Sequence, residues 1–264
     1  MSDAKKTVLK ASDISIIFGG LRAVSEASFE LNEGELVGLI GPNGAGKTTM
    51  FNMVSGIYTP TLGQMTFWDA NDKVHVINKA GPAKLNKLGI ARTFQNIRLF
   101  GNLTVLDNVR VALHNARISN PIDVLFRTPK FRRDEQLMTE KAVKLLELFK
   151  IDIKKNELAK NLPYGEQRKL EIVRALASKP RLLLLDEPAA GMNPQETKEL
   201  MDMIAFIRKE FNLTILLIEH DMKLVMGICE RIMVLNYGRI IATGTPEEIK
   251  KNPEVIKAYL GSEA

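Results

Sequence analysis

Short apolar runs and helical periodicities alternate along this chain, and their order predicts a mixed α/β fold. Glu35 to Ile40, Leu182 to Leu185 and Leu213 to Ile218 are apolar runs of strand length, as buried strands require. Between the last two runs, Gln195 to Glu210 has the pattern of a helix. This order predicts a strand-helix-strand unit and hence a mainly parallel core sheet.

The N-terminal third has a different pattern, which predicts an antiparallel β subdomain. Val8 to Ile17 and Ala27 to Leu31 alternate between apolar and polar residues, as half-buried strands do. Gln64 to Trp68 and Lys73 to Ile77 are typical of a hairpin, because Asp69 to Asp72 between them has turn composition.

The middle of the chain predicts an inserted helical subdomain. Val105 to His114 and Thr139 to Phe149 carry apolar residues at steps of three and four, and Leu170, Val173 and Leu176 continue this spacing. We therefore expect residues 96–180 to form the helical subdomain, with 1–95 and 181–264 forming the core and its antiparallel portion. No internal repeat is visible.

Composition favours a cytoplasmic globular protein. The chain has 264 residues, 45% of them hydrophobic and 26% charged, which is enough for a substantial core. No apolar run approaches the ~18 residues of a membrane span, and the first residues, MSDAKKTVLKASD, lack a signal-peptide core. Cys229 is the only cysteine and cannot form an internal disulfide, so we expect it to serve packing.

The net charge of +6 raises the question of an anionic partner, either nucleic acid or a membrane surface. However, 37 basic residues face 31 acidic ones, and the basic cluster Lys130 to Arg133 is followed at once by Asp134 and Glu135. This balance favours a solvated surface, and we expect no nucleic-acid partner.

Gly41-Pro-Asn-Gly-Ala-Gly-Lys47-Thr48 lies between a predicted strand and a predicted helix, where it can bind a nucleoside triphosphate. Its glycines allow successive backbone N–H groups to face an anion, and the helix dipole adds partial positive charge. Lys47 would bridge the β and γ phosphates, and the Thr48 hydroxyl would ligate Mg²⁺. The alternative is a glycine-rich turn. The predicted cofactor-binding residues here are Gly41, Pro42, Asn43, Gly44, Ala45, Gly46, Lys47, Thr48 and Thr49.

Two acids follow the apolar run Leu182 to Leu185, at a strand end where open α/β sheets bind ligands. Asp186 would hold Mg²⁺ through its water shell, and Glu187 would act as the general base for the attacking water. His220, just past another predicted strand, would reach the γ phosphate and hold that water. The alternatives are an acidic turn and a structural histidine.

Asn161-Leu-Pro-Tyr-Gly165-Glu-Gln-Arg opens a predicted helix, and here the chain resembles the ATP-binding-cassette (ABC) ATPases. In that family the corresponding helix start, usually Leu-Ser-Gly-Gly-Gln, presents its N–H groups to ATP bound on a partner subunit. The resemblance implies that Tyr164, Gly165 and Glu166 contact that nucleotide, although Pro163 and Tyr164 replace Ser and Gly. Since proline has no N–H, we expect a weakened or rearranged signature.

Further residues carry the same resemblance. Gln95 in Thr-Phe-Gln-Asn-Ile resembles the glutamine that meets Mg²⁺ and couples the helical subdomain, which implies both a catalytic and a metal role. Asn193 in Ala190-Gly-Met-Asn-Pro stands where aspartate is usual, so an acceptor becomes a mixed donor and acceptor. Phe18 matches the family position that stacks on adenine. A core or edge phenylalanine is the alternative for Phe18.

The resemblance covers about residues 8–260 and implies the P-loop NTPase fold, with ATP and Mg²⁺ as cofactors. Ile90 to Phe100, Leu103 to Val109 and Ile218 to Met222 are similar to the ATPase subunit of branched-chain amino acid importers. That subfamily implies two integral membrane permease subunits, a second cassette (identical or paralogous), an extracytoplasmic amino acid-binding protein, and a place on the inner face of the cell membrane. The predicted loop Arg117 to Glu140 fits the importer better than the shorter lipopolysaccharide-transport ATPase.

Three alternatives stay open from sequence. They are the lipopolysaccharide export ATPase, a soluble ABC protein of the iron-sulfur-assembly type, and a nucleotide-binding module that does not hydrolyse. Glu187 and His220 argue against the last of these, because both are placed for catalysis.

Overall fold

The computed structural model describes residues 6–114 and 128–260, and the chain forms two compact units. The first comprises residues 1–92 and 181–264, and the second comprises residues 93–180. The first boundary lies before the expected position after residue 95, because Ile90–Arg92 is a strand of the core sheet. A strand this short has no measurable periodicity, so the sequence pattern does not reveal it.

All strands of the described chain lie in the first unit. They are β1 (Thr7–Phe18), β2 (Leu21–Asn32), β3 (Leu36–Ile40), β4 (Leu62–Trp68), β5 (Val74–Val76), β6 (Ile90–Arg92), β7 (Leu182–Asp186), β8 (Thr214–Ile218), β9 (Arg231–Asn236) and β10 (Arg239–Gly244). They form a six-stranded sheet, ordered β10-β9-β3-β8-β7-β6, and a four-stranded sheet, ordered β2-β1-β4-β5.

The six-stranded sheet is parallel except at one edge. β3 pairs in parallel with β8 and β9, and β7 pairs in parallel with β6 and β8, whereas β9 and β10 form an antiparallel hairpin. Every residue of β3, β7 and β8 is buried, which explains why their sequences are apolar apart from Asp186 at the end of β7 and Thr214 at the start of β8. The predicted parallel core is confirmed, with β9 and β10 as strands that sequence reasoning missed.

The four-stranded sheet is antiparallel, as predicted. Its β4–β5 hairpin turns at Asp69, whose carboxylate accepts a hydrogen bond from the Asn71 amide at 2.9 Å and lies 2.7 Å from Nε2 of His75. An aspartate that bonds to the backbone two residues on stabilises a tight turn. The main hydrophobic cluster of the unit joins this sheet to the core sheet, with Met50 and Phe51 among its members.

The helices of the described residues belong to both units. Those of the first unit are α1 (Lys47–Val54), α2 (Pro82–Leu88), α6 (Pro194–Glu210), α7 (Met222–Ile228), α8 (Pro246–Lys251) and α9 (Pro253–Leu260). Those of the second unit are α3 (Val105–His114), α4 (Pro129–Leu148) and α5 (Tyr164–Ala177), with short 3-10 turns at Asp152–Lys154 and Ala159–Asn161. The expected helical character of the second unit is therefore observed.

The predicted loop Arg117 to Glu140 is wrong for its second half, because α4 begins at Pro129. Thr128 caps the helix by accepting a hydrogen bond from the Phe131 amide at 3.3 Å. Proline at the first helical position starts a helix instead of breaking one, since its missing N–H has no helical partner there. Residues 115–127 lie outside the described chain.

In residues 6–114 and 128–260, no helix is both long and apolar enough to cross a membrane.

Candidate active site

The phosphate loop, defined here as Gly41–Thr48, joins the buried strand β3 to α1. Gly41 has φ 152° and Gly46 has φ 101°. A Cβ at Gly41 would lie 2.0 Å from the Leu235 carbonyl oxygen, and one at Gly46 would lie 2.6 Å from that of Ala23. Backbone packing therefore excludes any side chain at these two positions, which is the physical reason for glycine.

Lys47 is 6% exposed and turns back on its own loop. Its ammonium donates to the carbonyl oxygens of Gly41 at 2.7 Å and Pro42 at 2.9 Å. Burial lowers the pKa of Lys47, and the charge of Glu187 partly opposes that shift. A desolvated cation with neutral carbonyls as partners is suited to receive the charged oxygens of a phosphate.

The start of α1 is open to an anion. Gly46 is its N-cap and offers no side-chain cap, and the first turn has no acidic residue. The first-turn N–H groups of Lys47, Thr48 and Thr49 therefore point out of the helix with its positive dipole end. Thr48 is exposed beside them. These features agree with the predicted phosphate cradle.

Asp186 ends β7 and pairs in register with Ile218 of β8. Its carboxylate accepts a hydrogen bond from Arg92 at 2.6 Å, and both side chains are 9% exposed. The Thr48 hydroxyl and the Asp186 carboxylate are oxygen donors of the kind that Mg²⁺ prefers. Among the described residues no group of three or more His, Cys, Asp or Glu could hold a metal. This donor set fits an ion whose remaining ligands are phosphate oxygens and water.

Glu187 and His220 are brought together by the parallel strands β7 and β8. Glu187 Oε1 lies 2.6 Å from Nε2 of His220, with the two side chains 15% and 49% exposed. Glu187 has φ 45°, a left-handed conformation that costs a non-glycine residue roughly 1–3 kcal/mol. Its amide donates to the Ile218 carbonyl at 2.9 Å, which holds it there. The strained backbone directs the carboxylate to the histidine.

Glu219 is a site residue whose role the sequence did not single out. It is 5% exposed, and its carboxylate accepts the amides of Ala189 at 2.7 Å and His220 at 3.1 Å. Burial raises the pKa of Glu219, although these amides oppose the shift. A charged residue directly after the apolar run Ile215 to Ile218 was the available signal. Glu219 joins the segment after β7 to the segment after β8.

A cavity of about 490 Å³ opens over the phosphate loop. It is also lined by Glu187 and His220 and by the hairpin residues Leu21, Arg22, Ala23, Tyr237 and Gly238. Phe18 is not among the described residues that line this cavity. Its ring packs edge-on against that of Tyr58, with the ring centroids 5.2 Å apart. Adenine stacking on Phe18 stays a prediction. The lining hairpins lie far from the motif in sequence, so local pattern could not reveal them.

In the second unit, α5 starts at Tyr164 with Pro163 as its N-cap. The first helical N–H groups are therefore those of Tyr164, Gly165 and Glu166, and the proline lies one position before them. Its missing N–H does not remove a first-turn donor. Glu166 pairs with Lys154 at 2.7 Å.

Gln95 also belongs to the second unit, and its backbone is held by α5. Arg168, 0% exposed, donates to the carbonyl oxygens of Phe94 and Gln95, each at 2.6 Å. The same guanidinium donates to Glu171 at 2.8 Å, and Glu171 accepts the Arg98 amide at 3.2 Å. This buried ion pair connects the predicted signature helix to the segment that carries Gln95. Sequence reasoning missed it.

Asn193 is the N-cap of α6. Its Oδ1 accepts the Glu196 amide at 2.9 Å, and Glu196 accepts the Asn193 amide at 2.9 Å. The Oδ1 atom of Asn193 is therefore the acceptor of a capping box at the start of α6.

Comparisons with known proteins agree with this geometry. A family model described as ABC transporter matches residues 24–190, and one described as Branched-chain amino acid ATP-binding cassette transporter matches residues 239–264. The chain is 49% identical to the high-affinity branched-chain amino acid transport ATP-binding protein LivG of Salmonella typhimurium over 254 residues, 96% of this chain and 98% of LivG. It is 35% identical to the lipopolysaccharide export system ATP-binding protein LptB of Haemophilus influenzae over 97% of this chain and 98% of LptB. The ADP conformation of MJ1267, an ATP-binding cassette of an ABC transporter, aligns with TM-score 0.81 at 30% identity, covering 97% of this chain and 99% of MJ1267.

Proposed function

This chain belongs to the ABC transporter family, and we propose that it is the ATP-hydrolysing subunit of an importer for branched-chain amino acids. The observation that carries the chemistry is the Glu187–His220 pair, 2.6 Å apart, which lines the cavity over the phosphate loop. A base and its hydrogen-bonded partner beside a phosphate cradle suit water attack on the terminal phosphate of ATP.

Phosphate binding, metal binding and proton transfer would fall to different residues of the site. The phosphate loop would bind the phosphates through backbone N–H groups, and Lys47 would leave its two carbonyl partners for the β and γ phosphates. Thr48 and Asp186 would hold Mg²⁺, and the family resemblance implies a metal role for Gln95 as well. When bound, the ion neutralises phosphate charge during transfer. Glu187 would take the proton of the attacking water.

His220 would hold Glu187 and the water in line. Its backbone amide bonds to the buried Glu219, so the imidazole is supported from β8. Phe18 would contribute adenine stacking beyond this cluster, worth about 1–3 kcal/mol by analogy with bases on aromatic side chains.

The active form would be a pair of cassettes, either two copies of this chain or this chain with a paralogue. The start of α5, with Tyr164, Gly165 and Glu166, would face the nucleotide of the partner cassette, as the family resemblance implies. ATP would then shift the pair to a closed state through its contacts with both subunits. Two membrane permease subunits would receive this motion at the inner face of the membrane, and an extracytoplasmic protein would deliver the amino acid.

Branched-chain amino acids are favoured as the transported solute over lipopolysaccharide. The identity to LivG is 49%, against 35% to LptB, at similar coverage. The match at residues 239–264 to a family model for branched-chain amino acid cassettes also supports the importer.

Transport in proteoliposomes tests the proposal. The chain, reconstituted with the two permease subunits, the second cassette and the binding protein, should import labelled leucine only with ATP. Glu187→Gln should lower ATP hydrolysis and import by about hundredfold or more, the scale of general base catalysis, with ATP binding retained. Glu247→Gln, on the exposed first turn of α8, is the matched control and should transport normally. Full hydrolysis by Glu187→Gln would contradict the assignment of the base.

A further inference from the structure

Arg92 connects two elements of the nucleotide site from the end of β6. One arm of its guanidinium, Nη2, donates to Oδ2 of Asp186 at 2.6 Å. The other arm, Nη1, donates to Oδ1 of Asn52 and to Oγ of Ser55, each at 2.7 Å. Both of these residues lie at the C-terminal end of α1, the helix that begins in the phosphate loop. The guanidinium carbon also lies 5.4 Å from the centroid of the Phe51 ring.

The planar fork of arginine explains how one side chain makes these contacts. Lysine presents a single point charge and could not reach a carboxylate on one side and two neutral oxygens on the other in this fixed geometry. The Arg92 and Asp186 side chains are each 9% exposed. A buried carboxylate needs a cation, and here the chain supplies its own.

That cation pairs with the carboxylate that we propose as a metal ligand. The pair uses Oδ2 of Asp186, which leaves Oδ1 outside the ion pair. In the described residues no cluster of three or more His, Cys, Asp or Glu could hold a metal by itself. The carboxylate that would attract a divalent ion therefore already has its charge balanced.

We infer that Arg92 is the resident counter-ion of Asp186 and makes divalent-metal binding at this site dependent on nucleotide. With Arg92 in place, the metal gains little from a neutralised carboxylate and must enter together with the phosphates. This inference rests on the proposed metal role of Asp186. It makes Arg92 a positioning residue, since it acts through Asp186.

The test is a titration of the purified full chain with Mn²⁺ in the absence of nucleotide, with free Mn²⁺ measured by electron paramagnetic resonance. Arg92→Gln removes the charge and should create nucleotide-independent Mn²⁺ binding at least about tenfold tighter than that of the wild type, the effect of one charge-assisted contact. Arg92→Lys keeps the charge but loses the fork that anchors it on Asn52 and Ser55, so it should tighten Mn²⁺ binding by a smaller factor than Arg92→Gln. Arg92→Gln combined with Asp186→Asn should abolish the new site.

Arg181→Gln is the matched control, because Arg181 is also about as buried, with its side chain 10% exposed, and pairs with Asp72 at 2.9 Å. It should leave Mn²⁺ binding unchanged. If Arg92→Gln does not fold, the variant Asn52→Ala with Ser55→Ala loosens the arginine while keeping its charge, and it should tighten Mn²⁺ binding by a smaller factor.

The inference is overturned if nucleotide-free Mn²⁺ affinity is unchanged in Arg92→Gln, or in the double alanine variant where that must replace it. A wild-type chain that neither binds Mn²⁺ with ATP nor hydrolyses ATP would instead refute the proposed function. Unchanged Mn²⁺ affinity in an Arg92 variant of a chain that hydrolyses ATP normally refutes the inference alone.

Discussion

Replacing Arg168 should strongly destabilise the second unit. The guanidinium is fully buried and is the ion-pair partner of Glu171, which is 1% exposed. It also donates to the carbonyl oxygens of Phe94 and Gln95. Arg168→Met has a similar apolar stem but no charge. It would leave a buried carboxylate and two backbone carbonyls without this donor.

Removing one partner of a buried ion pair costs about 3–5 kcal/mol, a large part of the roughly 5–15 kcal/mol that stabilises a typical domain. Replacing both partners, Arg168→Met with Glu171→Met, should recover at least about 1 kcal/mol of this loss, because no charge then remains buried. Breaking the partly exposed pair Lys154–Glu166 in the same unit with Lys154→Met should cost at most about 1 kcal/mol.

The destabilisation caused by Arg168→Met should also increase as the pH rises. Burial raises the pKa of Glu171 above its ordinary value of 4.5, and the attraction of Arg168 opposes that rise. A carboxyl group with a raised pKa in the folded state stabilises the fold below the unfolded pKa, and this contribution is lost as the pH rises toward the folded pKa. Without Arg168 the folded pKa is higher still, so Arg168→Met should be more destabilised at pH 7 than at pH 5.

Urea unfolding followed by circular dichroism at both pH values measures these differences. The reasoning is refuted if Arg168→Met is no more destabilising than Lys154→Met, or if its cost is independent of pH. A double variant that is less stable than Arg168→Met alone would show that the ion pair is not the source of the effect.

Three further predictions concern other parts of the chain. Gly46→Ala should weaken binding of a fluorescent ATP analogue by more than about tenfold, because its Cβ meets the Ala23 carbonyl at 2.6 Å. Gly44→Ala is the control: its Cβ has no atom within 4 Å, so it should lower folding stability by roughly 1–2 kcal/mol through the strain of its positive φ and weaken ATP binding less than Gly46→Ala does. Burial raises the pKa of the Cys229 thiol to about 12, so a disulfide reagent at pH 8 should label it only after denaturation. Single cysteines placed at residues 95–100 in a Cys229→Ala background should crosslink to a permease subunit, and an assembled complex without such crosslinks would place the docking surface elsewhere.

The sequence alone determined those strands and helices whose hydrophobic pattern or turn residues are local and extend over enough positions to be recognised. β3, β7 and β8 are buried on both faces, so their apolar runs identify them without knowledge of their neighbours. The β4–β5 hairpin is identified by the aspartate turn between its strands. Elements with weak local signals were missed: β6 is too short for a period, and the proline at the start of α4 was taken for loop chemistry.

The candidate site likewise has one part that the sequence reveals and one part that only the tertiary structure reveals. The phosphate loop is contiguous, and its glycines, lysine and hydroxyl can be recognised by order and spacing alone. Arg92 and Asp186, Glu187 and His220, and Arg168 and Gln95 are instead separated by 94, 33 and 73 positions along the chain. Only the tertiary structure decided these pairings. For the first two pairs, parallel strands bring their carboxyl ends to one edge of the core sheet, where buried charges need partners whatever their distance in sequence. For the third pair, burial of the Arg168 guanidinium among the helices of the second unit requires acceptors, which the backbone carbonyls of Phe94 and Gln95 supply.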